Sequence, residues 1–79
     1  MKVYVLYDIS ENSISSIALG LFDHTDISDD ELKSYFGEFK LIKFIDIRDS
    51  GVEWEMWLNT RDEEIIRLQL YEYEINQIG

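Results

Sequence analysis

Two strand-like runs meet at Ser50-Gly51, and their pairing constrains this chain more than any other feature of its sequence. Phe39 to Asp49 and Val52 to Leu58 each read as a strand of a meander. Only two residues separate them, and the second is a glycine, which can supply the positive φ of a tight hairpin turn. With Ser50 and Gly51 as the loop, Ile47 faces Trp54 and Ile45 faces Met56 on one side. Arg48 then meets Glu53, and Phe44 meets Trp57, on the other. A second turn is expected at Asn59 to Asp62, followed by a long strand from Glu63 or Glu64 to Ile75. In that hairpin Met56 pairs with Ile66 and Trp54 with Leu68, while Glu55 meets Arg67 and Trp57 meets Ile65. Both registers put apolar pairs on one face and opposite charges on the other, as cross-strand energetics favour. Thr60-Arg61-Asp62-Glu63 is also a capping box that could open a helix at Arg61. The clean alternation of Ile66, Leu68 and Leu70 favours strand. After Leu70 the apolar phase slips to Tyr71, Tyr73 and Ile75, which suggests a bulge.

The N-terminal half adds two strands and a helix. Val3 to Ile9 alternates, Ser10-Glu11-Asn12-Ser13 supplies a polar turn, and Ile14 to Phe22 returns with Ile17, Leu19 and Leu21 in phase. Gly20 marks either a bulge or a close backbone approach. Ser28-Asp29-Asp30-Glu31 is a capping box, with Ile27 and Leu32 at the spacing of a hydrophobic staple and three acids at the positive end of the helix dipole. Leu32, Tyr35 and Phe36 form the apolar stripe, and Gly37 stands where a C′ residue belongs. The helix is predicted over 29–36. An α+β domain with element order ββαβββ follows: a five-stranded antiparallel sheet of order 2-1-3-4-5 with one short helix on one face. Trp54, Met56, Ile66, Leu68, Leu32 and Phe36 are the expected core.

Charge then limits function. The 79 residues carry 17 acidic and 7 basic side chains, a formal net charge of −10. Such a surface repels nucleic acid and acidic membrane and speeds encounter with basic surfaces. A chain of this length reads as one domain, 1–79. It has no cysteine, so disulfides and thiolate metal sites are excluded. The N-terminus lacks the apolar stretch and cleavage site of a signal peptide, and no apolar run reaches the ~20 residues of a membrane span; a cytoplasmic location is expected. No nucleophile with a nearby base stands out, so neither catalysis nor a cofactor is expected. Asp23-His24-Asp26 does not have the spacing of a metal site, and no metal is expected there.

Two surfaces remain as candidates for partner binding. One helix cannot cover five strands, and the register places Phe44, Trp57 and Ile65 together on the open face. Asp46, Glu53, Glu55, Arg48 and Arg67 would ring them, as charges ring many binding surfaces. The other candidate is the acidic segment leading into the helix, where Asp23, Asp26, Asp29 and Asp30 cluster. Some of that charge serves the helix itself. In overall type, short, acidic, cysteine-free and built as a sheet with one helix, the chain resembles phage-encoded inhibitors, anti-CRISPR proteins included, and bacterial immunity proteins. That likeness is one of type and rests on no motif. The expected function is an inhibitor that occludes a basic, nucleic-acid-binding surface of a partner protein by imitating the phosphate backbone, with no direct nucleic-acid or membrane binding. The alternative is a self-associating structural or regulatory subunit, or an immunity protein, acting through the open aromatic face.

Overall fold

A computed structural model describes residues 1–10 and 17–75, without the side chain of Ile17. The elements run β1 (Lys2–Asp8), β2 (Ile17–Phe22), α1 (Asp29–Phe36), β3 (Phe39–Asp49), β4 (Val52–Thr60) and β5 (Ile65–Glu74). The polar turn expected after Ser10, and residues 14–16 of the expected second strand, lie outside the described residues. All five strands join one sheet and every neighbouring pair is antiparallel.

The helix forms as its local chemistry dictates. Ser28 is the N-cap, its hydroxyl accepting from the Glu31 amide at 3.2 Å. Ile27 and Leu32 are both buried in the main core, closing the staple. Gly37 ends the helix at φ 71°, donating to the Lys33 carbonyl at 2.8 Å. The left-handed φ is what glycine permits cheaply at C′. The Glu31 carboxylate lies 3.5 Å from His24 Nε2, so it braces the preceding loop.

The strand order corrects the expectation. It is β2-β1-β5-β4-β3, so β5 and not β3 lies beside β1. The composition of β3 explains this. Lys40, Lys43, Asp46 and Arg48 spread charge along it and all are exposed, as are Leu41, Ile42 and Phe44. Charged strands are tolerated at sheet edges, where they also discourage further pairing. β5 carries Leu68 and Leu70, both fully buried, and takes the centre. Helix α1 therefore connects one edge strand, β2, to the other, β3, across one face of the sheet.

Under the helix lies the core: Leu6, Leu32, Leu58, Leu68 and Leu70 fully buried, with Trp54, Met56 and Ile27 nearly so. Ile66 and Phe36 pack against this cluster half-buried. Tyr35 lies so close to Gly20 that any side chain there would meet its hydroxyl, so Gly20 is a close approach. It also adjoins a bulge, because Gly20 pairs with Leu6 and Ala18 with Tyr7, leaving Leu19 as the extra residue. The expected common phase of Leu19 and Leu21 is thereby broken: Leu19 packs on the core and Leu21 is exposed.

Both hairpin registers differ from those read off the sequence. The Ser50-Gly51 turn is as expected, with φ 55° and 85°, the positive values of a type I′ hairpin. Beyond it β3 holds an extra residue between Asp46 and Asp49, with Arg48 at φ 49°, and another between Leu41 and Lys43. Phe44 consequently pairs with Met56 and Asp46 with Trp54, while Ile45 pairs with Glu55 and Lys43 with Trp57. One added residue has moved Phe44 to the opposite face. In the β4–β5 hairpin Trp54 pairs with Leu70, Met56 with Leu68, Glu55 with Gln69 and Trp57 with Arg67. The slip there is two residues, so the faces stand and only the partners change. The bulge expected after Leu70 is on β4 instead, at Glu53; β5 pairs regularly with β1 to its end. Tyr71 and Tyr73 are apolar on the open face because they pack beside β1.

No helix begins at Arg61. Thr60 Oγ1 accepts from the Glu64 amide at 3.2 Å, and the Thr60 amide donates to the Glu64 carbonyl at 2.9 Å, closing a three-residue hairpin loop. Glu63 takes the left-handed position at φ 62°, which in such loops suits glycine. Glu63→Gly is therefore expected to stabilise the protein by about 1 kcal/mol despite the added chain entropy of glycine, read as a higher urea midpoint at unchanged m-value.

Candidate functional site

The register separates residues that the sequence grouped, and joins others it kept apart. Trp57, Ile65 and Glu55 lie on the open face, whereas Phe44 and Asp46 lie on the helix side with Trp54 and Met56. There the loop between β2 and α1 meets the β3–β4 hairpin. The Trp54 indole Nε1 donates to the Thr25 carbonyl at 3.0 Å, which pins this loop and sets Asp26 beside the hairpin. The result is a cleft of about 370 Å³ with Phe44, Trp54 and Met56 at its base and Asp26, Asp46 and Glu53 at its rim. The Phe44 and Trp54 rings lie 5.7 Å apart, tilted by 42°. Trp54 is buried, but Phe44 is 51% exposed. Arg48 is the one base at this rim, its Nε 3.0 Å from Asp46 Oδ1.

Acid dominates the surroundings. Glu53 and Glu72 share a hydrogen bond that holds the Glu53 carboxyl above its usual range, with burial adding to the effect, and holds Glu72 below it. Lys2 reaches Glu72 at 3.2 Å. Asp26, Asp29 and Asp30 are exposed. Asp23 is also exposed and hydrogen-bonds His24 Nδ1 at 2.7 Å, which raises the imidazole pKa and lowers that of the carboxyl. Among the described residues no group of three or more histidine, aspartate or glutamate side chains is arranged to hold a metal ion.

The open face carries a different chemistry. Glu55 is buried although no helix or strand among the described residues covers this face, and it is enclosed by its own neighbours. Its carboxylate accepts from Trp57 Nε1 at 2.5 Å, Gln69 Nε2 at 2.7 Å and Arg67 Nη2 at 3.3 Å. Tyr71 continues the chain by donating to Gln69 Oε1 at 2.8 Å, and its ring stands edge-on to Tyr7. Arg67 and Lys43 both lie over the Trp57 ring, at 4.8 and 5.6 Å from its centroid. Trp57 is thus half-covered and already engaged, with two bases beside one acid. Leu21, Ile65 and Tyr73 are exposed apolar residues of this face. The Glu55–Gln69 and Trp57–Arg67 pairings depend on the two-residue slip, which the charge pattern did not mark.

Burial raises the Glu55 pKa, but the bonds from Trp57, Gln69 and Arg67 outweigh it and hold the carboxyl below its usual range. A depressed folded pKa gives stability that is present above the unfolded value, near 4.3 for glutamate, and is lost as pH falls through the folded value. Acidification below about pH 4 is expected to lower the urea midpoint and change Trp57 emission, and Glu55→Gln should flatten that acid dependence.

A second cavity, of about 420 Å³, lies at the far end of the β3–β4 pair and is bordered by Glu38, Glu63, Lys40 and Arg61, two acids and two bases. The Phe44 cleft, with three acids to one base, differs from it in charge balance, and a smaller hollow of about 230 Å³ beside the cleft, bordered by Asp49, Glu53, Glu72 and Arg48, extends the same acidic surface. No helix among the described residues is long and apolar enough to cross a membrane. The chain matches no family model, and neither a curated protein nor a solved structure matches it.

Proposed function

We propose that this protein acts by binding, presenting the Phe44 cleft and the acidic segment before α1 to a basic surface of a nucleic-acid-binding protein and so excluding nucleic acid from it. One observation carries the reading. Carboxylates from three separate segments, Asp26, Asp46 and Glu53, converge around one exposed aromatic ring, and among the described residues that line the cleft Arg48 is the one base. Aromatic anchors rimmed by charge are the usual composition of a protein-binding surface. A net charge of −10 adds long-range steering toward a basic partner. In these terms it is an inhibitor of the nucleic-acid-mimic kind, the class to which phage anti-defence proteins such as anti-CRISPRs belong.

The test is affinity capture with the tagged protein at two salt concentrations. Screening shortens from about 8 Å at 0.15 M to about 3 Å at 1 M salt. The partner recovered at 0.15 M is expected to be strongly basic and to be released well below 1 M. Recovery of only neutral or acidic partners, held without regard to salt, contradicts the reading.

A second reading rests on Leu21, Ile65 and Tyr73, which leave apolar area exposed on the open face. Here the protein self-associates through that face. Sedimentation velocity separates the two: a dimer dispersed by Trp57→Ala supports self-association, and a monomer opposes it.

A further inference from the structure

We infer that the Phe44 cleft is a receptor for one arginine side chain of the basic partner, with Arg48 engaging its rim in the free protein. This inference rests on the binding role proposed above and names the group that the cleft takes. The cleft volume, about 370 Å³, falls within the ~300–1,000 Å³ range of small-ligand sites and leaves room for a long side chain. Phe44 offers an open ring face, and a guanidinium stacks on such a face through both charge and planarity. The carboxylates of Asp46 and Glu53 stand on adjacent strands at the mouth, where forked N–H donors can meet both. Lysine has a compact, strongly hydrated ammonium and cannot stack and fork together.

The chain itself supplies an internal guanidinium at this place. Arg48 engages the Asp46 carboxylate at 3.0 Å, and its charge opposes the upward shift that Glu72 and burial impose on Glu53. It is held there on a left-handed backbone, at φ 49°. Its position shows that the rim accepts a guanidinium, and its charge opposes the arrival of another. Removing Arg48 frees Asp46 for the partner and deletes that repulsion.

The experiment is amide chemical-shift mapping of the ¹⁵N-labelled protein at low salt, titrated with a short arginine–glycine peptide and with its lysine counterpart. The inference predicts that the arginine peptide shifts the amides of Phe44, Asp46, Glu53 and the Trp54 indole. The lysine peptide should bind several-fold more weakly. Phe44→Ala should weaken the arginine peptide by roughly fivefold to tenfold, and Arg48→Gln should tighten it. Phe44 is half exposed on an edge strand, and the wild-type mapping stands without any variant. If both peptides bind equally and shift only Asp29 and Asp30, the arginine receptor is overturned while the binding role survives. If neither peptide shifts any amide of the acidic surface, the binding role falls with it.

Discussion

Leu68→Ala is expected to remove about 3–5 kcal/mol of folding stability, among the largest losses of any single truncation in this sheet. Leu68 has no exposed surface and lies at the centre of the sheet, between Met56 on β4 and Asp8 on β1. Truncating such a leucine costs about 3–5 kcal/mol, through lost transfer energy and the cavity left behind. A domain of this size has about 4–12 kcal/mol of total stability. The substitution therefore removes about a quarter of it at the least, and at the low end all of it. Ile65→Ala, on the same strand but exposed, is expected to stay within about 0.5 kcal/mol of the parent. Urea unfolding followed by circular dichroism reads both. A Leu68→Ala protein within 1 kcal/mol of the parent would mean that β5 is not the central strand.

The largest functional effect is expected from Asp26→Lys combined with Glu53→Lys. Both acids stand at the rim of the Phe44 cleft, and neither is part of the core. Asp26 precedes the Ser28 cap, so its reversal spares the helix dipole, whereas reversal of Asp29 or Asp30 would cost about 0.3–1 kcal/mol each. Placing two bases against a basic partner costs several kcal/mol. At 1.4 kcal/mol per decade that is about two orders of magnitude in affinity, and the loss should appear first in the association rate. Trp57→Ala provides the contrast. Trp57 lies on the other face, held by Glu55 and covered by Arg67. Its loss should reduce stability and leave association with the partner within twofold. Binding kinetics of the three proteins against the captured partner read the difference. Equal association by the double variant and the parent would move the contact surface away from the cleft.

These residues also show what the sequence could express. The helix was legible from Ile27 to Gly37 because every signal there is local: a hydroxyl three residues from a glutamate, a staple, and a glycine where φ is positive. The Ser50-Gly51 turn was legible for the same reason. The registers were not, because the bulges that set them carry no mark. Arg48 and Glu63 hold left-handed backbone without being glycine, and the consecutive apolar Leu41 and Ile42 break the alternation without showing which residue is the extra one. One extra residue at Arg48 was enough to carry Phe44 from the expected group with Trp57 to its place over Trp54. The strand order escaped for a different reason. It depends on the competition of β3 and β5 for the place beside β1, which is decided by burial across the whole sheet. In hindsight the charges of β3 on both faces marked it as an edge. The cleft was half legible: the sequence grouped Phe44 with Asp46, Glu53 and Arg48, but on the open face with Trp57, and only the true register turns Phe44 and Asp46 to the helix side, where Asp26 joins them.

On the proposed reading, the acidic cleft and nucleic acid compete for one surface of the partner. Fluorescence anisotropy of a labelled nucleic acid bound to the captured basic partner tests it most directly. Stoichiometric addition of this protein should return the anisotropy to that of free nucleic acid, and the Asp26→Lys/Glu53→Lys variant should leave it bound. An anisotropy that rises further, reporting a ternary complex, or that holds steady while this protein is bound to the partner, would contradict the claim.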